Sequence, residues 1–207
     1  KHEVSILEIS DKKVNLFNAG ISPIQDSLVS KYMSKESLNI SATSDSASAY
    51  TGAKYIVLCV PTNYSTRTKS FDTAILETTI HNINETNFKG LIVIRSTVPI
   101  GFSKKIQNLY HNLKIAFFPE FLREGTALND CLYPSRIVCG SRTKLAQNFA
   151  KILSDCSKKK NIKIMITDPD EAESIKLFSN AYLAMRVSFF NELDSFALSR
   201  SLNAKDI

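Results

Sequence analysis

Glycine is scarce in this sequence, six residues in 207, and none of them forms a GxGxxG turn. That turn is how a dinucleotide-binding fold brings its backbone against a pyrophosphate, so the chain as read does not carry that element. Long apolar runs are absent too. Nothing approaches the roughly 20 residues needed to cross a bilayer, and residues 1–10 lack the form of a secretion signal. The four cysteines, Cys59, Cys131, Cys139 and Cys156, show neither CxxC spacing nor nearby histidines. This argues against a zinc site or a disulfide framework, leaves no metal expected, and fits a reducing cytoplasm. Cys59 and Cys139 lie in apolar, strand-like runs, where a thiol acts as a small hydrophobe. The net charge of +6 is modest, and the one basic run, Lys158–Lys160, falls where a helix is expected to end. A solvated helix terminus accounts for it better than nucleic-acid binding does.

What is present is alternation. Strands are expected at Glu3–Ile9, Asn39–Ala42, Lys54–Val60, Gly90–Arg95, Lys114–Phe118, Arg136–Gly140 and Ile162–Ile166. Helices are expected at Asp11–Ala19, Thr73–Ile83, around Ser103–His111, Phe121–Asn129 and Lys144–Ser157, with a turn or short helix at Asp45–Thr51. Strands separated by helices require crossover connections, hence an α/β fold with a doubly wound, mostly parallel, Rossmann-like sheet. The run KYIVLCV (54–60) reads as a strand buried on both faces. From Asp168 a long helix is expected, with Asp168 as its cap, Pro169 in its first turn and Glu171 as the capping-box acid. The division expected is a nucleotide-binding domain over 1–166, then the start of a central helical region over 167–207.

Four features carry chemistry. Glu8 ends the first strand, where such folds place the acid that binds the ribose 2′-OH in the second strand. The chain therefore reads as beginning at strand two, without the first strand and its glycine turn; a solvated acid is the competing reading. Pro61–Thr62–Asn63 and Ser96–Thr97–Val98–Pro99 follow two buried strands, and ligands of open α/β sheets bind beyond such ends, although turns and caps use the same residues. Glu120 and Glu124 would share one face of the expected helix, and paired carboxylates suit proton transfer. Lys176 and Asn180 share a face of the long helix and can supply positive charge and an amide to an oxyanion, unless Lys176 merely snorkels.

In their order along the chain, CVPTNY with FDT (59–64, 71–73), IRSTVPIGF (94–102), FFPEFLREGTAL (117–128), LYPSRIV (132–138) and EAESIKLFSNAYLAMRVSFFNELDSFA (171–197) resemble the UDP-glucose and GDP-mannose dehydrogenase family. The PTNY…FDT wording and the short spacing from STVPIGF to PEFLRE are more similar to its UDP-glucose branch. The resemblance implies a four-electron oxidation of a sugar C6 alcohol through an aldehyde and a cysteine thioester to a carboxylate, with two NAD reduced. It implies that Glu8, Lys13, Thr62, Thr97 and Glu124 contact NAD. By the same resemblance Glu120, Phe121, Leu122, Arg123, Glu124, Lys176 and Asn180 contact a nucleotide-sugar substrate. Thr97 would help hold the catalytic water, Glu120 and Glu124 would do acid–base work, and Lys176 and Asn180 would stabilise anionic oxygens. The family's glycine loop would precede residue 1 and its nucleophilic cysteine would follow Ile207, so this piece is expected to be inactive alone. A homodimer through the long helix is implied, with no nucleic-acid or membrane partner. A related nucleotide-sugar dehydrogenase and a non-catalytic nucleotide-binding remnant are the alternatives.

Overall fold

The computed structural model describes residues 2–35, 38–123 and 125–207. Its elements in chain order are β1 (Val4–Leu7), α1 (Asp11–Asn18), α2 (Ser27–Lys35), β2 (Ile40–Thr43), α3 (Ser46–Tyr50), β3 (Tyr55–Leu58), β4 (Tyr64–Ser65), β5 (Ser70–Phe71) and α4 (Ala74–Glu85). There follow β6 (Leu91–Ile94), α5 (Phe102–Leu109), β7 (Lys114–Phe117), α6 (Ala127–Leu132), β8 (Arg136–Cys139), α7 (Lys144–Cys156), β9 (Lys163–Ile166) and α8 (Pro169–Ser199).

The main strands pair in parallel, β1 with β2, β3–β6–β7 in that order, and β8 with β9. Antiparallel β4 and β5 form a small hairpin, closed by Tyr64 and Phe71 edge to face. Every residue of β6 is buried, because its LIVI run sits between two strands and under helices on both sides. Alternation then sorts its side chains. Ile92 and Ile94 pack with Leu76, Ile80 and Ile83 of α4 and with Phe102 and Ile106 of α5, whereas Leu91 and Val93 pack with Ala146, Phe149 and Ala150 of α7. Each such aliphatic side chain contributes about 1.5–3 kcal/mol when fully buried. The sheet thus has a core on each face, as the doubly wound reading requires.

Several local expectations change. Ile56 and Leu58 of β3 enter the core, but Val57 is 43% exposed, so this strand is covered on one face only. A wholly apolar run signals burial on average and cannot show which neighbour is missing. Residues 21–38, left unassigned from sequence, include α2, whose first turn is capped by Asp26 Oδ1 accepting from Leu28 N (2.9 Å) and Val29 N (3.2 Å). The helix expected from Phe121 begins only at Ala127. Arg123 holds the preceding loop back, its backbone N–H and guanidinium both donating to Asp130, and Gly125 has a φ of +76°. Finally, Asp168 makes no side-chain cap on α8. Its carboxylate instead accepts from Arg142 at 2.8 and 3.2 Å.

Candidate functional site

Three parallel strands, β3, β6 and β7, end at the same edge of the sheet, and the chain leaves each as a loop: 59–63, 95–101 and 118–123. Ser96 ties the first two together by donating its hydroxyl to the Val60 carbonyl at 2.7 Å. Thr62 and Thr97 are half-buried at the ends of β3 and β6.

The third loop brings the charges together. The Glu120 carboxylate accepts from Arg95 Nε and Nη2, both at 3.0 Å. Its backbone carbonyl accepts from Lys176 Nζ at 2.6 Å, so the first half of α8 is fastened to the end of β7. Burial pushes the Lys176 ammonium below the ordinary lysine range, and Arg95 adds to this while the Glu120 carboxylate opposes it. Phe121 lies among the cations, with the Arg136 guanidinium 4.3 Å and Lys176 Nζ 5.6 Å from its ring centre. Both distances lie within cation–π range. Arg136 also donates to Ser179 Oγ on α8 at 3.4 Å.

Glu120, Phe121 and Lys176, singled out in the sequence, therefore meet at one place. Asn180 is exposed one turn beyond Lys176, and Leu122 sits at the surface. Arg123 points to Asp130 in a two-pronged pair, which lowers the Asp130 carboxyl to about 2. Glu124 lies outside the described residues; residues 121–123, expected to open a helix, are not helical. Arg95 and Arg136 were not singled out from sequence. Arg95 had a signal, a cation closing a wholly apolar strand; Arg136 had none, because its role depends on where Phe121 lands.

A second cluster stands at the end of β1. Glu8 accepts from the Ser10 backbone N–H at 3.0 Å and lies 3.4 Å from Lys13 Nζ on α1. The Ser10 hydrogen bond, with a smaller contribution from Lys13, holds its carboxyl below the ordinary range. A carboxylate at a strand end with one such anchor keeps lone pairs for a diol, which fits the ribose of a dinucleotide.

Cys139 is buried as expected, but Cys59 follows β3 at the surface instead of lying inside the strand. Desolvation of the sulfur, then the Glu120 carboxylate, raise the Cys59 thiol. Such a thiol is a poor nucleophile at neutral pH. Among the described residues there is no cluster of three or more His, Cys, Asp or Glu able to hold a metal ion.

Residues 1–157 match the NAD binding domain of the UDP-glucose/GDP-mannose dehydrogenase family, and residues 170–207 match its central domain. The chain belongs to this family. Among relatives of this dehydrogenase family, the UDP-glucose 6-dehydrogenase of Campylobacter jejuni is 44% identical over 207 residues, covering 100% of this chain and 53% of the relative. That of Streptococcus pneumoniae is 41% identical over 212 residues, covering 100% of this chain and 54% of the relative. The chain spans about half the length of these curated relatives. In structure it is similar to GDP-mannose dehydrogenase from Pseudomonas aeruginosa (TM-score 0.86, 25% identity), covering 99% of this chain and 50% of that one. It is also similar to a UDP-glucose dehydrogenase from Pyrobaculum islandicum (TM-score 0.79, 25% identity), covering 98% of this chain and 52% of that one.

Proposed function

We propose that the protein to which this chain belongs oxidises UDP-glucose to UDP-glucuronate with two NAD. The observation that carries this reading is the meeting of Lys176, Glu120 and Arg95 beyond the carboxyl ends of β6 and β7, in a chain of this family. UDP-glucose is favoured over other nucleotide sugars by the C. jejuni and S. pneumoniae relatives, each more than two-fifths identical to this chain. The structural likeness to a GDP-mannose dehydrogenase supports GDP-mannose as the alternative substrate.

Bound NAD supplies the hydride acceptor. Glu8 accepts the ribose hydroxyls and disfavours a 2′-phosphate, and Lys13 beside it offers a cation to the same end of the cofactor. Thr62 and Thr97, at the ends of β3 and β6, would help hold the dinucleotide, and Thr97 would help hold a water. Lys176, desolvated and donating, stabilises negative charge developing on the sugar C6 oxygen, with the Asn180 amide one turn away on the same face. Glu120, held by Arg95, takes or returns a proton, with Glu124 as its partner in acid–base work and as a further contact to the cofactor. Phe121, Leu122 and Arg123 form the substrate side of this loop.

On this reading the dinucleotide domain spans about 1–166 and the central region starts at about 167. A cytoplasmic place of action belongs to the same proposal. Among the described residues no helix is long and apolar enough to cross a membrane. It dimerises through α8, which leaves Phe178, Leu183, Val187, Phe189 and Phe190 each more than half exposed.

The test is to supply the full-length protein with NAD and, separately, UDP-glucose, GDP-mannose and UDP-N-acetylhexosamines, following NADH absorbance. Two NADH per UDP-glucose, with slower turnover of the others, is the expected result. Preference for another sugar would move the substrate assignment, and no NADH with any of them would leave a nucleotide-binding protein without this chemistry.

A further inference from the structure

Glu173 is a carboxylate with no solvent exposure, on the second turn of α8, and none of the roles above uses it. Its Oε2 accepts from the Gly101 backbone N–H at 2.6 Å and its Oε1 from the Ser103 backbone N–H at 2.9 Å. Gly101 is the N-cap of α5, holds a φ of +88° and provides no side chain of its own to cap the helix. The free N–H groups of a helix start need an acceptor, and here it comes from another helix, 70 residues away in sequence. The α5 dipole adds to the attraction for a carboxylate at this end. Lys104 on α5 and Asp170 on α8 make a second, exposed link at 2.7 Å. Burial raises the Glu173 carboxyl, and the Ser103 and Gly101 donors work against that rise.

The position of this cap matters more than its existence. The loop it ends begins at Arg95, which grips Glu120, and passes through Thr97. Three residues beyond Glu173 on α8 is Lys176, whose ammonium reaches the Glu120 carbonyl. Residues three apart on a helix share a face. One buried side chain thus joins the loop carrying Arg95 and Thr97 to the helix carrying Lys176.

We propose that Glu173 is a positioning residue for the site: by capping α5 from α8 it sets the register of α8 against the strand ends, and so fixes Lys176 and Arg95 about Glu120. The proposal rests on the functional reading of Lys176 given above. Glu173→Gln keeps the volume but sets an amide N–H against one of the two donors, and Glu173→Ala removes both acceptors. Neither touches a group placed at the reacting atoms.

The experiment uses the full-length protein and three readouts. The first is the rate of Lys176 acylation against pH, read by peptide mass mapping, which reports the surroundings of Lys176 without any turnover. The second is amide hydrogen exchange over residues 97–106, and the third is kcat against KM for UDP-glucose. In Glu173→Gln, Lys176 should titrate closer to an ordinary lysine and exchange over 97–106 should rise at least about tenfold. The value of kcat should fall by about 10–100-fold, as expected for a misplaced reacting group, with KM changing far less. Should Glu173→Ala fail to fold, Glu173→Gln alone decides. Faster exchange with an unchanged Lys176 titration would make Glu173 a local helix cap and overturn the proposal. If the unmutated protein shows no turnover, the functional reading falls, while the Lys176 titration still judges the link to Glu173.

Discussion

The Arg95 guanidinium grips a single oxygen of the Glu120 carboxylate from two nitrogens, each at 3.0 Å. Both side chains are partly shielded, at 16% and 31% exposure, so the pair is screened less than an ion pair in open water. Holding Glu120 from the end of β6 leaves its other oxygen for chemistry. Arg95→Met should lower kcat of the full-length enzyme by about 10–100-fold through loss of this orientation, with the fold intact by circular dichroism. Arg95→Lys should recover only part of the activity, because an ammonium lacks the planar fork. Unchanged turnover in Arg95→Met would show that Glu120 needs no such partner.

Lys176 offers a test through pH. Burial lowers its pKa, so as pH rises through that lowered value the ammonium loses its proton and its charge. Stabilisation of a developing oxyanion should therefore fade on the alkaline side, at a pH below the 10.5 of an ordinary lysine. The profile of kcat should show this limb, and Lys176→Ala should abolish it while reducing kcat by about 10²–10³-fold. Near-normal turnover in that variant would return Lys176 to a packing role.

The Glu8 carboxylate, anchored by Ser10 and facing Lys13, bears on cofactor choice. The full-length enzyme should use NAD in preference to NADP, since a 2′-phosphate would meet this negative charge. Glu8→Ala should narrow the ratio of kcat/KM for the two cofactors, chiefly by improving NADP. Equal efficiency with both in the unmutated enzyme would remove Glu8 from the ribose site.

Gly140 gives a stability test away from the chemistry. It leaves β8 where its N–H donates to the Phe117 carbonyl at 2.8 Å, and a Cβ there would lie 2.7 Å from the Ala172 Cβ and 2.9 Å from the Phe117 oxygen. The junction of β7, β8 and α8 has no room for a methyl group. Gly140→Ala should destabilise the protein by about 1–3 kcal/mol, the usual cost of overpacking, measured as a shift in the denaturant midpoint. An unshifted midpoint would mean that α8 can move away without cost.

By itself the sequence determined the alternation of strands and helices, because apolar periodicity and turn residues act over a few neighbours. It placed the wholly buried β6, the start of α8 and the turns at Thr62 and Thr97 on those grounds. It also carried the motif order that assigns the family, and it put Lys176 and Glu120 forward as site residues. Only the tertiary structure decided which charges meet. Arg95 with Glu120, Lys176 with the Glu120 carbonyl, and Arg136 over Phe121 span separations of 25 to 56 residues or depend on where a loop settles. The same is true of helix ends. Asp168 has the sequence of a cap but pairs with Arg142, while Glu173, with no local sign of capping, closes α5 from another helix. A cap is a demand for an acceptor, and local sequence shows the nearest acceptor, whereas packing chooses the one that the fold brings within reach.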